Sequence, residues 1–322
     1  MAVATLPTYT LPASKVLSSI TSFVNQLRFK DTLYPTRIVN DFVDNCKVGK
    51  VDTGKGIVFT FKKALQPVNN LSATSSVLTI TAPSVAQEII DIDTYKVIPL
   101  SISRTLMADA VPNGTLIDTF LNYLYSLMED TKTFHEFVVM TSELFSWTPV
   151  QAGQTINIDQ YDLAGLTGAD LDAAIRRNAT EIAKVVRQTM NELGILSNNY
   201  TDVATTYTSV NKDDLRLIMN DKYYTDYLAD SIAALFHSDK IEDMMSGPIL
   251  DELPYSIFNA NSQGTTIGFL FDKQKLAMAD YYKLQMSFTD ASTLFTNSFL
   301  HFAYGKGVFA NAIGIKFVAN II

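Results

Sequence analysis

Residues 49–56, with the sequence GKVDTGKG, come closer to a phosphate-binding loop than any other part of the chain. Gly56 occupies the position at which such a loop needs Ser or Thr to bind magnesium. A phosphate-binding loop also precedes a helix, whose first backbone amides point at the phosphates. Here residues 57–61 have the pattern of a strand instead. The sequence therefore argues against a nucleotide site.

The histidines, the cysteine and the carboxylates form no recognisable catalytic pattern. His135 and Glu136 begin like a metalloprotease helix, but Val139 stands where the second histidine is required. Cys46 is the one cysteine, which excludes an internal disulfide and every zinc site with two thiolates. Lys47 beside it could lower the thiol pKa, but no partner histidine is indicated. We therefore predict no catalytic, cofactor-binding or metal-binding residues, and this favours an interaction or structural role.

The composition is that of a globular protein with a substantial core. Of the 322 residues, 47% are hydrophobic and 18% are charged, and the length suits one large domain or two ordinary ones. The net charge of −8 disfavours a sequence-nonspecific nucleic-acid binder, because such proteins present a basic face. No apolar run reaches the roughly 20 residues of a membrane helix, and the first residues lack a signal-peptide pattern. These features predict a cytosolic protein without membrane contacts.

Charge is distributed unevenly along the chain. Residues 1–63 contain nine Lys or Arg and four Asp or Glu, a net charge of +5, whereas residues 64–322 contain 16 and 29, a net charge of −13. This asymmetry is compatible with chance. Alternatively, it places a basic N-terminal region against an acidic surface of the same chain or of a neighbouring one.

Short β-patterned segments flank a polar stretch in the region 47–97. Residues 57–61 are rich in β-forming side chains, residues 77–81 alternate well, and the stretch 66–76 between them is polar. The simplest interpretation is a long β-hairpin or arm with little core of its own, which needs partners elsewhere. Another extended stretch is predicted at 97–102.

Two long helices are predicted after this arm. The first starts near Thr115, exceeds 20 residues, and carries an apolar stripe at positions 116, 120, 124, 127, 134 and 138. The second starts at Thr167, with Asp170 completing a capping pattern, and Gly194 stands where a C-terminal cap glycine belongs. A short amphipathic helix is predicted within 14–27, a helical region at 222–245, and strands at 215–219, 267–271 and 308–318. Long helices with separated strands favour an α+β fold over a doubly wound one.

The order of several segments in the second half resembles major capsid proteins of tailed bacteriophages, most closely those of small short-tailed phages (podoviruses). The similar segments are NKDDLRLIMN at 211–220, DYLADSIAALFH at 226–237, IGFLFDK at 267–273, FLHFAY at 299–304 and FANA at 309–312. The resemblance is close over about 200–318 and extends to 50–145 by organisation alone. It implies the HK97-like capsid fold.

That resemblance also implies a division of the chain. Five parts are expected: an N-terminal arm at 1–46, an extended β-hairpin loop at 47–97, a peripheral domain with a long spine helix at 98–150, an axial domain at 151–289, and a strand at 290–322 that returns to the peripheral domain. Because the chain stops at Ile322, no exterior decoration domain is expected.

The function implied is that of a major head protein, not an enzyme. It self-assembles as pentamers and hexamers into an icosahedral shell around double-stranded DNA, in the virion, after assembly in the host bacterial cytoplasm. The implied partners are a separate scaffolding protein, a portal protein at one vertex and DNA without sequence-specific contacts. The alternative is an encapsulin-like bacterial compartment that shares the fold and encloses a cargo enzyme.

Side chains of the extended loop and of the N-terminal arm are the candidate subunit contacts. They are either basic or apolar: Arg28, Lys30, Lys55, Ile57, Phe59, Phe61, Lys62 and Lys63. Relatives that crosslink covalently use a lysine of the extended loop and an asparagine of a neighbour. Lys55, Lys62 and Lys63 are available for this, and nothing in the sequence selects one of them.

Overall fold

The computed structural model describes residues 36–50, 57–62, 85–103, 114–205, 207–223, 249–290, 292 and 294–322. Helices and strands are mixed along the chain, as predicted. The elements are α1 Arg37–Cys46, β1 Lys47–Lys50, β2 Ile57–Lys62, β3 Val85–Ile90, β4 Ile92–Ser103, α2 Gly114–Ser146, β5 Thr155–Gln160, α3 Ala169–Glu192, β6 Leu215–Asn220, β7 Ile249–Leu253, α4 Tyr255–Ala260, β8 Thr266–Asp272, β9 Leu276–Thr289, β10 Phe295–Val308 and β11 Gly314–Ile321.

The chain forms two compact units. The first takes its described residues mainly from Tyr95–His135 and Tyr282–Ala303, and the second from Arg37–Thr94, Glu136–Tyr281 and Tyr304–Ile322. The described strands form three sheets, with the orders β1-β9-β10-β4, β5-β11-β8-β6-β7 and β2-β3. Helix α2 and the strands β4, β9 and β10 each begin in one unit and end in the other.

The five-stranded sheet forms the core of the second unit. All six residues of β6 are buried, as are the first six of β8, which fits central strands covered on both faces. Strand β11 pairs parallel to β5 and antiparallel to β8, and helix α3 packs against β5. Side chains from these elements share one apolar cluster that includes Ile158, Ile182, Val186, Leu217, Ile315 and Phe317.

Aromatic rings near the start of the loop after α2 make a second set of core contacts. Trp147 meets Phe271 edge-to-face with the ring centroids 5.0 Å apart, and Phe145 meets Phe258 in the same way at 5.1 Å. Edge-to-face geometry is favourable for aromatic pairs beyond the area they bury. The end of α2 is thereby fixed to α4 and β8.

Several predicted strands are confirmed, and the strand that pairs with β2 was not predicted. Strands β2, β6 and β8 match the predictions at 57–61, 215–219 and 267–271, and β4 includes the stretch 97–102. The partner of β2 is β3, with Ile57 opposite Ile90 and Lys62 opposite Val85. Residues 77–81, the helix predicted within 14–27 and nearly all of 222–245 lie outside the described residues.

The long helices are confirmed, but their predicted details are partly wrong. Val138, placed on the apolar stripe of α2, is 62% exposed, whereas Lys132 and Glu136 lie on the buried side. These two charges are tolerated there because Lys132 lies over the ring of Phe302 at 5.6 Å and Lys47 approaches Glu136 at 3.6 Å.

The predicted N-cap of α3 is also wrong, whereas Leu193 is the C-cap, so Gly194 follows it at the C′ position as predicted. Gly168, with φ +58°, is the N-cap residue in place of Thr167, and it provides no side-chain hydrogen bond. Asp170 and Asp172 in the first turn supply negative charge to the positive end of the helix dipole instead. At the other end Gly194 does not adopt the left-handed conformation of a cap glycine.

Candidate assembly surface

Within the first unit, one face of the sheet formed by β9, β10 and β4 is covered by helix α2. Side chains alternate between the two faces along a strand, and Phe302 of β10 packs under His135 of α2 with the ring centroids 5.9 Å apart. Lys283 of β9 pairs with Glu129 of α2 at 2.5 Å. Leu300 and Ile102, which share this face, are buried. The helix therefore closes this side of the sheet.

The opposite face of the same sheet is apolar and exposed. It is formed by the side chains that alternate with those under α2, and we call it the open face. Its large apolar members have relative exposures between 36% and 61%: Tyr95, Val97, Tyr282, Leu284, Met286, Phe288 and Phe295.

Ring contacts hold the side chains of the open face in place. Phe288 of β9 stacks on Phe299 of β10 with the centroids 5.7 Å apart and the planes 14° from parallel. Tyr95 of β4 meets Tyr282 of β9 at 6.5 Å. Contiguous apolar patches of this kind are uncommon on monomeric proteins and mark interaction surfaces. The chemistry that this face supports is association with another apolar surface.

The predicted contact residues lie partly in a separate element. Ile57, Phe59, Phe61 and Lys62 belong to β2, which pairs with β3 in a two-stranded sheet of the second unit. The strand predicted at 57–61 is confirmed, the side chains of β2 lie outside the described residues, and their role as subunit contacts stays a prediction. Arg28, Lys30, Lys55 and Lys63 also lie outside the described residues. Ile90 at the end of β3 is buried in the second unit, whereas a sheet of only two strands is marginally stable on its own.

A match to a protein-family model identifies the class of protein that carries these surfaces. The model of the Phi29-like phage major capsid protein family matches residues 47–316, which is most of the chain. The chain belongs to the Phi29-like phage major capsid protein family. It is therefore a structural protein of the virion that associates with copies of itself into an icosahedral shell, and it is not an enzyme. The family match does not favour the encapsulin-like alternative.

Solved structures support the fold. A chain of the Staphylococcus phage Andhra capsid matches with a TM-score of 0.64 at 11% identity, covering 98% of this chain and 90% of that one. A chain from the structure of the head fiber and inner core protein gp22 of native bacteriophage P68 gives 0.62 at 11% identity, covering 99% and 91%. The capsid of Cyanophage P-SCSP1u gives 0.53 at 15% identity, covering 100% and 94%. A search of curated proteins gave no match.

These neighbours are HK97-like capsid proteins, which confirms the predicted α+β fold of that type. At such low identity they show the fold alone.

Buried charges in this capsid protein are paired in ways that suit a scaffold. Arg216 donates to Asp251 through Nε, to the Phe42 carbonyl at 3.0 Å and to Cys46 Sγ at 3.1 Å, and its guanidinium lies over the Phe42 ring. Burial raises the pKa of the Cys46 thiol, and Arg216 acts in the opposite direction. Cys46 is therefore a buried packing residue, contrary to a thiol activated by Lys47.

A second buried charge joins four parts of the second unit. Lys275 donates to Asp202 at 2.7 Å and to the Ala312 carbonyl at 3.1 Å, and it lies 5.3 Å from the Trp147 ring. Gln154 also donates to Asp202, at 2.6 Å. Burial lowers the pKa of Lys275, and Asp202 acts in the opposite direction. This network ties together the loops that adjoin strands β5, β8 and β11.

Neither network resembles a metal site. Among the residues that the structure describes, no group of three or more His, Cys, Asp or Glu side chains could hold a metal ion. His301 lies on the open face 6.3 Å from Phe299, and His135 contacts Phe302. Both histidines pack against aromatic rings, and His237 lies outside the described residues.

Among the helices in the described part of the chain, none is both long enough and apolar enough to cross a bilayer.

Sequence reasoning missed the open face, because the strand that supplies most of it was not predicted. Strand β9 contains Leu284, Met286 and Phe288 at alternate positions, which is a usable signal for a half-buried strand. The alternation is obscured by Tyr281 and Tyr282 beside each other and by the small residues Ala277 and Ala279 before them.

Proposed function

We propose that this capsid protein forms pentamers and hexamers, which together build an icosahedral shell around the double-stranded DNA genome of the phage. Assembly takes place in the host bacterial cytoplasm. It requires a separate scaffolding protein, and a portal protein occupies one vertex. The open face of the first unit carries this proposal, because it leaves a large apolar surface in need of a cover.

The cover is the β2–β3 hairpin of a neighbouring copy. The open face needs an apolar cover, and the two strands of the hairpin need a partner beyond the buried end of β3, so one contact between copies serves both. Ile89 of β3 is 58% exposed and supplies an apolar side chain for that contact. The other contact candidates on this arm are Lys55, Ile57, Phe59, Phe61, Lys62 and Lys63, with Arg28 and Lys30 in the N-terminal arm.

The division of the chain follows from these roles. Residues 1–46 form the N-terminal arm, 47–97 the extended loop, 98–150 the peripheral domain with α2 as its spine helix, 151–289 the axial domain, and 290–322 the returning strand. Strands β5 to β8 of the five-stranded sheet lie within 151–289 and give the axial part a rigid core, which suits packing around five-fold and quasi-six-fold axes, and β11 of the last segment completes that sheet.

Electrostatics supports enclosure of DNA without tight binding. A basic interior would hold DNA by releasing counterions and would impede packaging and ejection. The net charge of −8 avoids this. The excess positive charge of residues 1–63 then pairs with acidic surface of neighbouring copies, although each exposed pair contributes only about 0–1 kcal/mol. Apolar burial under the extended loop is the larger contribution.

Electron microscopy combined with light scattering on the purified full chain tests the proposal. The chain is examined alone and with a scaffolding protein supplied by co-expression. Closed icosahedral shells, tubes, or rings of five and six subunits are the expected products. A species that stays monomeric or dimeric even with scaffold at high concentration would contradict the proposal. Shells that enclose a protein cargo in place of DNA would point to the compartment function.

A further inference from the structure

The root of the β2–β3 hairpin is fastened to the second unit by two side chains on one face of β3. Glu88 and Ile90 are two residues apart, so both point to the same side of the strand, while Ile89 between them is exposed. Both contact the chain around the turn between β10 and β11. This root lies wholly within the second unit.

Glu88 binds the backbone of that turn with both carboxylate oxygens. Oε2 accepts a hydrogen bond from the Ala310 amide at 2.8 Å, and Oε1 accepts one from the Asn311 amide at 2.8 Å. The side-chain amide of Asn311, which is 7% exposed, also donates to Oε1. Three N–H donors on one carboxylate form a charge-assisted site that fixes the position of the strand relative to the turn.

Ile90 and a glycine complete the attachment. Ile90 is 2% exposed and packs in a cluster with Ala277, Ala279, Phe309 and Ala312. A Cβ at Gly305 would lie 2.4 Å from the Asp91 carbonyl oxygen and 2.8 Å from a methyl group of Ile90. The absence of a side chain at position 305 therefore lets β10 approach the end of β3 this closely.

We propose that the contact of Glu88 with Ala310 and Asn311, which we call the Glu88 latch, sets the direction in which the hairpin leaves the subunit and thereby the curvature of the shell. The inference rests on the proposed function, in which the hairpin covers a neighbouring copy. A change of direction at the root is amplified along the hairpin to its far end. Loss of the latch therefore alters how neighbouring subunits are angled before it alters the fold of either.

The chemistry of the latch makes it specific for a carboxylate. All three partners of Glu88 are donors, so a neutral glutamine would face at least one of them with its own N–H₂ group. Glu88→Gln keeps the size of the side chain, removes the charge and replaces one acceptor with a donor. Gln87→Ala is the matched control, because Gln87 is the preceding residue of β3 and is exposed.

The test compares wild type, Glu88→Gln and Gln87→Ala as full chains. Amide hydrogen exchange of the unassembled subunits reports the latch directly, and exchange at Ala310 and Asn311 is expected to be about ten- to a hundredfold faster in Glu88→Gln. Electron microscopy of assemblies made with scaffold reports its consequence. Glu88→Gln is expected to give tubes, sheets or shells of mixed diameter, whereas Gln87→Ala gives the wild-type product.

Uniform wild-type shells from Glu88→Gln would overturn the inference while leaving the proposed function intact. Failure of the wild-type chain to assemble would instead overturn the proposed function, and the inference with it. If Glu88→Gln does not fold, Glu88→Asp replaces it, because it retains the charge on a side chain one methylene shorter. That variant is then expected to show faster exchange at the same two amides and mixed shells, and wild-type behaviour in both would refute the latch.

Discussion

At the scale of single residues, the buried pair of Arg216 and Asp251 holds helix α1 against the five-stranded sheet. Arg216 is 1% exposed, Asp251 is 5% exposed, and Asn45 of α1 donates to Asp251 at 2.8 Å. Breaking a buried ion pair leaves a charge without compensation, which typically costs about 3–5 kcal/mol. We expect Asp251→Asn to lower the free energy of unfolding by that amount, measured by urea denaturation of unassembled subunits.

An exposed pair of the same kind provides the control for this variant. Lys184 and Glu181 on α3 are 3.1 Å apart, and their side chains are 56% and 39% exposed, against 1% and 4% for Arg216 and Asp251. Glu181→Gln should change the free energy of unfolding by no more than about 0.5 kcal/mol. If both variants lowered the free energy of unfolding equally, the buried Arg216 pair would contribute no more to stability than the exposed pair does.

A buried tyrosine gives the subunit a defined response to alkaline pH. Burial raises the pKa of Tyr304 from 10.0 to about 12. Between these values the folded state holds this proton and the unfolded state does not, so stability falls as the pH rises. The contribution is complete below pH 10 and is lost as the pH passes through about 12.

The variant Tyr304→Phe isolates this effect, because Tyr200, whose pKa is also raised to about 12, remains in both proteins. Denaturation at several pH values between about 9 and 12 should show wild type losing roughly 1–2 kcal/mol more than the variant over this interval. Parallel pH profiles for the two proteins would contradict the assignment of a raised pKa to Tyr304.

At the scale of secondary-structure elements, the proposed association of copies depends on strand β9. Met286 lies in the middle of its open face and is 55% exposed. Met286→Lys places a charge where association with an apolar partner would exclude water. In the free subunit the lysine stays in solvent. The concentration needed for assembly should rise about tenfold or more, measured by sedimentation. The thermal midpoint of the free subunit should stay nearly unchanged.

Ile195→Lys is the matched control, because Ile195 is 70% exposed and lies outside the open face. It introduces the same charge at an exposed apolar position and should assemble as wild type does. Normal assembly by Met286→Lys would show that the open face stays uncovered in the shell.

The secondary-structure elements also show which parts of the fold can be predicted from sequence patterns. Strands β6 and β8 were predictable because their continuous apolar runs leave few alternatives to a doubly covered strand. The partner of β2 was not, because register depends on which residues meet in space, and β3 begins four residues after the predicted 77–81 segment ends. No sequence pattern distinguishes Glu88 from other carboxylates, since its partners are backbone amides more than 200 residues away.

At the scale of the whole molecule, the distribution of charge and apolar surface indicates which force holds the shell together. In the proposed shell, the net charge of +5 on residues 1–63 and of −13 on the remainder provides attraction between neighbouring copies. Exposed charges more than about 10 Å apart are screened at ordinary salt concentrations. The open face, in contrast, is contiguous and aromatic, and salt does not screen the free energy gained by burying it.

Association driven by apolar burial strengthens on warming near room temperature, because its driving force is then mainly entropic. We therefore expect the assembled fraction at a fixed concentration of chain and scaffold to increase between about 5 °C and about 25 °C. We also expect it to change little when salt is raised from about 0.1 M to about 1 M, both measured by light scattering. Dissociation of the shells at high salt, together with weaker assembly on warming, would show that ion pairs dominate. The basic N-terminal region would then hold the lattice in place of the open face.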